Sequence, residues 1–415
     1  MTSRERVQKA IRHEVTDRVP LDLGSTPVTG IAASTYARLR EALGLRRRPV
    51  KVVEPFQMLA EVEPEVMEKM GVDTVGLELP TTIFGFRNEN WKPWRLFDGT
   101  DVLVSEHFQI SETEEGDLLL YPQGDPKATP CARMPKGGYY FDMLNRQENG
   151  DERHLDPEDF AEQFGLYTDE DLKYLQQTAD KLYRSTDFSI VGCFWQGGFG
   201  DIAQLPGPGL KHPRGIRDPQ QWLMAHVTHP EYIRGIFEIQ ARAALENLKL
   251  YRDAVGDRID VIVMSGTDFG TQCGLFVSPE IYRKLYKPFQ KMLNDWVHTH
   301  TPWKTFYHSC GAITALLDDF TEIGVDILNP VQCSAKGMDP RLLKERYGDK
   351  IVFWGGGVDT QKTLPFGSPE DVVREVKERT RILGSGGGFV FNTIHNIQHG
   401  VPVENLLAMF NTFRE

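Results

Sequence analysis

Two candidate metal ligands, His308 and Cys310, stand two positions apart at the end of an apolar run, Trp303 to Tyr307. If that run is a strand, the Gly311 turn follows it directly, and the imidazole and the thiol point into one cavity. Nitrogen and sulfur donors together favour zinc over magnesium or calcium. The pair alone has low specificity, so its interpretation depends on which other residues the fold brings to the same place.

Six apolar runs of strand length follow one another in the C-terminal half of the chain. They are SIVGCFW (189–195), DVIVMSG (260–266), KTFYHSC (304–310), VDILNPVQ (325–332), IVFWGGG (351–357) and GFVFNTIH (388–395). Amphipathic helices are predicted between them, including one from Ser278 to His298. Near-continuous apolar strands that alternate with helices indicate a parallel sheet covered on both faces. With one or two further strands near the N-terminus, the pattern predicts an α/β fold, a (β/α)8 TIM barrel.

The N-terminal part of the chain has two different patterns. Residues 1 to about 80 alternate helix and strand signals, such as the capping-box spacing of Thr2 and Glu5 and a helix around Pro64 to Met70. Residues 84–155 instead have short strand patterns separated by Asp-Gly and Glu-Gly-Asp turns, which is typical of an antiparallel β-rich insertion. We interpret residues 1–415 as a single domain in which this insertion is a lid or a docking surface.

Polar side chains follow nearly every predicted strand. In a (β/α)8 barrel the chemistry lies where strands end and βα loops begin, so these residues are expected around one mouth. The set comprises Trp195, Gln196, Asp268, His308, Cys310, Asn329, Gln332, Cys333, Asp359, Asn392 and His395. Their coincidence at one end of the predicted strands carries more weight than any single motif.

Composition and charge argue against several classes of protein. A net charge of −12 disfavours a general nucleic-acid binder, which needs a basic face. No apolar run reaches about 18 residues, so no membrane span is expected. The five cysteines are an odd number and widely spaced, unlike a disulfide framework, and the N-terminus lacks the apolar core of a signal peptide. A reducing cytoplasm is therefore the expected location.

The segment GGFVFNTIHNIQHGVPVENLLAMF (387–410) resembles the C-terminal signature of the uroporphyrinogen decarboxylase superfamily. In that signature a strand ends in Phe-Asn, reaches a His and continues to Pro-x-Glu-Asn. SPEIYRKLYKPFQ, FTEIGVDILNPVQ and RYGDK-IVFWGGGVDTQ lie upstream in the order that the superfamily shows. The resemblance covers most of the chain outside the insertion. It implies a (β/α)8 barrel, which agrees with the strand pattern.

Two chemistries occur within that superfamily. Its decarboxylases use no metal and hold substrate carboxylates with an arginine-rich N-terminal loop, whereas the equivalent stretch here, Asp22 to Gly30, contains no arginine. Its cobalamin-dependent methyltransferases bind zinc through a His-x-Cys pair and a later Cys, and His308 and Cys310 match the first two positions. The resemblance therefore implies zinc as a cofactor and a corrinoid as the methyl carrier.

The expected activity is O-demethylation of a methoxylated small molecule, with transfer of its methyl group to the corrinoid. The chain contains no Asp-x-His-x-x-Gly corrinoid-binding motif, so the corrinoid (cobalamin) is expected on a separate partner protein. Two alternatives remain open, namely a metal-free decarboxylase and a non-catalytic binder of the corrinoid protein. A homodimer is an expectation at the level of the superfamily.

The third metal ligand is where the sequence departs from the methyltransferase pattern. Cys333 and His395 are near-equal candidates, and Cys273 is a further one. We expect His308, Cys310 and Cys333 to hold the metal, with His395 as the alternative third ligand.

Acid–base and substrate contacts are assigned to the remaining polar residues at the predicted mouth. The catalytic candidates are Asp268, His395, Glu78 and Asp359. The candidates for substrate binding are Trp195, Gln196, Asn329, Gln332 and Asn392. For Asp268 and Asp359 the alternative is a helix or turn cap, and for Trp195 it is a place in the hydrophobic core.

Overall fold

The strands give the molecule its framework. The structure is a computed structural model that describes residues 1–147 and 155–412. In chain order its strands are β1 (Val50–Glu54), β2 (Leu59–Ala60), β3 (Thr74–Leu77), β4 (Lys92–Arg95), β5 (Asp101–Val104), β6 (Ile110–Glu112), β7 (Leu118–Leu120), β8 (Ala132–Met134), β9 (Asp142–Met143), β10 (Ser189–Cys193), β11 (Val261–Ser265), β12 (Lys304–His308), β13 (Ile327–Asn329), β14 (Val352–Trp354) and β15 (Phe389–Val390).

Helices connect the strands and cover the outside. They are α1 (Ser3–Ala10), α2 (Ala33–Ala42), α3 (Pro64–Met70), α4 (Asp169–Ser185), α5 (Pro219–Thr228), α6 (Pro230–Val255), α7 (Pro279–Ile281), α8 (Lys287–His300), α9 (Leu317–Glu322), α10 (Pro340–Tyr347), α11 (Thr363–Phe366), α12 (Pro369–Leu383) and α13 (Val403–Asn411). The helix predicted from Ser278 is observed as α7 and α8, joined by a π-helical segment, Tyr282–Tyr286. No described helix is long and apolar enough to cross a membrane.

Seven parallel strands form one sheet in the order β15-β14-β13-β12-β11-β10-β3. The segment around Leu21 lies between the two edges of this sheet. On one side Asp22 N donates to Phe391 O (2.8 Å), and Phe391 N donates to Pro20 O (2.8 Å). On the other side Asp73 N donates to Leu21 O (2.7 Å). This segment occupies the eighth position, and the predicted (β/α)8 barrel is confirmed.

Helix α1 closes the N-terminal end of the barrel. The Thr2 hydroxyl accepts from Glu5 N, and the Glu5 carboxylate accepts from Thr2 N, which is the predicted capping box. Val7 and Ala10 of α1 and the adjacent Ile11 pack in one apolar cluster with inward-facing strand residues. The strand residues are Val191, Cys193, Val261, Val263, Phe306, Ile327, Val352, Trp354 and Val390. Ligands therefore reach the barrel from its C-terminal end.

Two smaller sheets form the β-rich region outside the barrel. Strands β6-β7-β8-β9 make a fully antiparallel sheet, as the turn signals predicted. The other sheet has the order β2-β1-β5-β4 and includes a parallel pair, β1 with β5. The predicted insertion boundary at residue 84 therefore misses β1 and β2. Their partner β5 lies about fifty residues further along the chain, beyond the reach of local pattern.

A buried carboxylate ties the N-terminal segment to the barrel. Asp73 is fully buried, and its oxygens accept from Arg6 Nη1 (2.6 Å) and Arg18 Nη1 (2.7 Å). The same carboxylate accepts from Leu21 N (2.8 Å), within the segment that completes the barrel. Asp73 thus links α1, the loop before Leu21 and the start of β3.

Replacing Asp73 by Ala is expected to lower the free energy of unfolding by about 3–5 kcal/mol, because Arg6 and Leu21 N lose a buried partner. The measurement is a urea unfolding curve. Asp17→Ala is the matched control, since Asp17 also contacts Arg6 (2.7 Å) but has a side chain that is 42% exposed. Its expected loss is below about 1 kcal/mol. Equal losses for the two variants would contradict this account of the closure.

Candidate functional site

The inward-facing side chains change from apolar to polar at the C-terminal end of the barrel. Side chains alternate across a strand, so Phe306 and His308 on β12 share the inner face, as do Ile327 and Asn329 on β13. Phe306 and Ile327 belong to the apolar barrel interior. His308 and Asn329, which follow them on the same face, are buried polar residues. The barrel mouth therefore carries a polar row above an apolar one.

Three side chains at this mouth place metal-ligand atoms close together. The ligand atoms of His308, Cys310 and His395 all lie within 4.8 Å of one another. His308 Nε2 is 3.4 Å from Cys310 Sγ. The His308 and His395 ring centroids are 5.4 Å apart, with an interplanar angle of 74°. We refer to these three residues as the triad.

The structure brings His395, and not Cys333, to the His308–Cys310 pair. The Cys333 thiol approaches Gly356 O (4.0 Å), and the side chain packs against the main hydrophobic core. Strand β13 ends at Asn329, and the turn that follows carries Cys333 away from the triad. Cys273 is exposed and lies outside the triad as well. The set His308, Cys310 and Cys333 is therefore not assembled, and His395 lies beside the pair instead.

Asn329 fixes the orientation of His308. Asn329 Oδ1 lies 2.6 Å from His308 Nδ1, while Asn329 Nδ2 donates to Trp354 O (2.9 Å). This arrangement makes Nδ1 the protonated nitrogen and leaves the lone pair of Nε2 facing Cys310. Metal-binding histidines typically donate their second N–H to such an acceptor. Asn329, which we expected to bind substrate, thus has both polar ends engaged and lies behind His308.

The turn after His308 depends on a close backbone contact. Gly311 has φ = 92°, and a Cβ there would lie 2.3 Å from the Gly270 carbonyl carbon. Only glycine adopts this conformation readily and allows this approach. The contact brings the loop after β11 against the triad. There Asp268 Oδ1 accepts from Cys310 N (2.6 Å) and lies 3.6 Å from His308 Nε2.

Burial favours the uncharged forms of two triad side chains. Desolvation, together with the nearby His308, lowers the pKa of His395 to about 3, so its imidazole is neutral and keeps a free lone pair. Desolvation and the Asp268 carboxylate raise the pKa of the Cys310 thiol well above its ordinary value. A coordinated cation would reverse this second effect, because a metal-bound thiol is deprotonated.

Carboxyl groups surround the rest of the mouth. Glu78 directly follows β3, and part of its surface is exposed to solvent. The surrounding protein desolvates its carboxyl group, and this desolvation and the Glu54 charge raise its pKa to about 8. Desolvation raises the pKa of Glu54 to about 7, although its carboxylate accepts from Phe56 N and Gln57 N. Desolvation, and then the Asp268 charge, raise the pKa of Asp201 to about 7.

Two of these carboxyl groups, Glu54 and Asp201, are absent from the residues that the sequence suggested. Glu54 ends the run VKVVE, which forms β1. Recognition of this run as a strand would mark Glu54 as a polar residue at a strand end. Asp201 follows the loop Gly197-Gly198-Phe199-Gly200, six residues beyond Trp195. The glycine-rich loop separates Asp201 from the end of β10, so this carboxyl group does not directly follow a strand in the sequence.

The other expected site residues have more local roles. Asp359 Oδ1 accepts from Gln361 N (2.7 Å) and Lys362 N (3.0 Å), which is a turn cap. Gln332 Oε1 accepts from Gly311 N (2.7 Å) and supports the turn after Cys310.

Asn392 and Gln196 also have partners. Asn392 Nδ2 donates to Asp22 O (3.0 Å), and its buried Oδ1 has no hydrogen-bond partner in the described part of the chain. Gln196 Oε1 accepts from Asn247 Nδ2 (2.7 Å), and Gln196 O accepts from Gln240 Nε2 (3.0 Å).

Comparison with known proteins agrees with this geometry. A family model, "Uroporphyrinogen decarboxylase (URO-D)", matches residues 213–415, which contain the whole triad. Residues 213–415, just under half of the chain, are therefore similar to this family. None of the curated proteins matches the chain.

A solved structure extends the comparison to the part of the chain before residue 213. It is a methyltransferase from Methanosarcina mazei, similar over 100% of this chain and 98% of its own, with a TM-score of 0.53 and 13% identity. At this identity the likeness shows the fold alone. The fold of the whole chain is thus that of a known barrel protein, and the resemblance predicted from the sequence is confirmed.

The Glu78 carboxyl group predicts a pH dependence. Its folded pKa, about 8, lies above the ordinary value, so its stabilising effect is complete below about pH 4.5 and is lost as pH rises through 8. Glu78→Gln is therefore expected to raise the melting temperature at pH 9 and to change it little at pH 5. Thermal unfolding between these values measures the difference. Glu41→Gln, on the exposed surface of α2, is the control, and parallel profiles for both variants would contradict the assignment.

Proposed function

We propose that this chain is a zinc-dependent methyltransferase that moves a methyl group from a methoxylated small molecule to the corrinoid of a separate protein. The observation that carries the proposal is the triad, three nitrogen and sulfur donors at the mouth of a barrel of the uroporphyrinogen decarboxylase superfamily. The similar fold of a protein described as a methyltransferase supports the same reaction class.

The donor set of the triad fits zinc. Two imidazoles and a thiol are typical zinc ligands, and three protein ligands with an open fourth position are typical of catalytic zinc. In tetrahedral geometry a zinc-bound nitrogen and sulfur are about 3.6 Å apart, and His308 Nε2 and Cys310 Sγ are 3.4 Å apart. The neutral His395 and the oriented Nε2 of His308 are in the form that binds a metal.

Methyl ethers react slowly because an alkoxide or phenolate is a poor leaving group. Bound at the triad, zinc would supply Lewis acidity at the ether oxygen and stabilise its developing negative charge. Glu78, whose raised pKa keeps it protonated near neutral pH, is proposed to donate a proton to the departing oxygen. Asp268 is proposed to position the metal ligands, since it accepts a hydrogen bond from Cys310 N and faces His308 Nε2.

The methyl acceptor is proposed to be a corrinoid on a partner protein. The chain has no Asp-x-His-x-x-Gly motif, and the mouth is open at the end of the barrel opposite α1. A partner that covers this mouth would present its cofactor to the substrate held there.

The charges at the mouth disfavour the alternative decarboxylase. A porphyrinogen brings several carboxylates, which need arginine partners. Among the described residues, Glu54, Glu78 and Asp201 form no ion pair with any lysine or arginine, and the segment from Asp22 to Gly30 has no arginine. Whether protonated or ionised, these three carboxyl groups give a polyanionic substrate no positive partner.

Metal content tests the ligand assignment. Wild-type protein purified without a histidine tag is expected to hold about one zinc per chain, and His308→Ala, Cys310→Ala and His395→Ala are expected to lose it. Cys333→Ala is the matched control and should retain zinc. Elemental analysis measures all five proteins, with circular dichroism to confirm folding. Wild-type protein without zinc or cobalt, or loss of zinc from Cys333→Ala, would overturn the assignment.

Methyl transfer tests the reaction. With cob(I)alamin as acceptor and 2-methoxyphenol among a panel of methyl ethers, the wild type should form methylcobalamin, which absorbance spectra detect. Asn329→Ala should require about 10–100-fold more zinc for the same rate, because His308 loses its orienting acceptor. Stoichiometric docking of a corrinoid protein without transfer from any methyl ether would favour the non-catalytic binder. Transfer that is unaffected by Cys310→Ala would contradict a zinc mechanism.

A further inference from the structure

A cavity of about 240 Å³ lies between helix α6 and the loop that follows β10. Its lining is rich in aromatic rings and contains one carboxyl group. The residues that matter here are Phe160, Phe164, Trp195, Asp201, Trp222 and Phe237. The volume suits a small organic group rather than a macromolecular segment.

The cavity adjoins the candidate site through Gly266 and Asp268. A Cβ on Gly266 would lie 3.2 Å from Trp195 Cζ3 and 3.5 Å from Asp201 Oδ2, so this residue packs closely against the wall of the cavity. Two residues further on, Asp268 contacts Cys310 N and faces His308. The loop from Gly266 to Asp268 therefore contacts both the wall of the cavity and the triad.

The backbone at Trp195 is held in an unusual conformation that directs its ring to this place. Trp195 has φ = 61°, in the left-handed region, which is costly for a residue with a side chain. Its amide donates to Val263 O (2.8 Å), so the barrel itself holds the residue in this conformation. Strain of this kind is concentrated at ligand and active sites.

Asp201 has no positive partner in the part of the chain that the structure describes. Asp201 Oδ1 accepts from Ala203 N (2.9 Å), and no lysine, arginine or histidine pairs with the carboxylate. The nearest charged group that affects it is Asp268, which carries the same sign. Glu54 and Glu78 are two further carboxyl groups without a basic partner among the described residues.

Trp222 adds a hydrogen-bond donor without a partner. Its side chain is 1% exposed, and its Nε1–H has no acceptor among the described residues. A buried N–H without an acceptor is unfavourable, so an oxygen on a ligand would stabilise it. Trp195 Nε1 is also buried without an acceptor among the described residues, so the lining offers one carboxyl group, several aromatic faces and two indole N–H donors.

We propose that this cavity binds an alkylated ammonium group in the non-reacting part of the methyl donor, held by the Asp201 carboxylate and the surrounding aromatic rings. Aromatic faces attract quaternary ammonium ions, and the attraction grows when water is excluded. A hydroxyl or carboxylate oxygen on the same molecule would meet Trp222 Nε1. The identity of this molecule as a methyl donor rests on the proposed function, but the binding does not require methyl transfer.

Choline and its uncharged analogue 3,3-dimethylbutan-1-ol test the proposal, because they have the same shape and differ in charge. Isothermal titration calorimetry on the purified full-length protein should show choline binding at least about tenfold more tightly. Asp201→Asn, which keeps an acceptor for Ala203 N, should remove most of this difference. Asp253→Asn, on the exposed surface of α6, is the matched control and should preserve it.

Equal affinity for the two compounds in the wild type, or absence of choline binding, would overturn the proposal without requiring any variant to fold. An unchanged preference in Asp201→Asn would also overturn it. The two hypotheses fail separately. Methyl transfer from uncharged ethers without any preference for charged ones would support the methyltransferase proposal and contradict the cation site. Choline binding in a protein that transfers no methyl group would support the cation site and contradict the methyltransferase proposal.

Discussion

The alternation of side chains along parallel strands is the constraint on which this site depends. In a closed barrel every second residue points inward, and the space inside is filled in layers. Here Val7 and Ile11 from the region of α1 fill one end, and the rows of Phe306 and Ile327 fill the middle. The next inward row holds buried polar residues such as His308, and its hydrogen bond to Asn329 offsets the cost of burial.

The electrostatics of the mouth follow from this position. His395 and Cys310 are uncharged in the absence of a cation, whereas Glu54, Glu78 and Asp201 are carboxyl groups that desolvation keeps close to their protonated forms. A cation that entered the mouth would favour the ionised forms of Cys310 and the three carboxyl groups. His395 would stay neutral and could bind the cation through its lone pair. The proposed metal at the triad and the proposed ammonium group at Asp201 would both be cations that complement these groups.

The extent to which sequence predicted this site depended on distance along the chain. The His308–Cys310 pair and the strand ends are local signals, and the structure bears out the barrel that they indicated. The third member, His395, lies 85 residues after Cys310, and its approach to His308 depends on the packing of the loop after β15. Residue spacing could not decide between His395 and Cys333, because that choice depends on which way each loop turns.

The β-rich region supplies one carboxyl group of the mouth, Glu54, and contacts the loop that carries His395. Glu54 ends β1, which pairs with β5 of that region, and the loop after it is held by Phe141 N donating to Phe56 O (2.8 Å). Gln57 Oε1 accepts from Asn396 Nδ2 (3.0 Å), next to His395 in sequence. A shift of these strands would therefore move Glu54 relative to Glu78 and would disturb the loop that holds the third ligand. Because the charge on Glu54 raises the pKa of Glu78, the position of this region also determines how readily Glu78 keeps its proton.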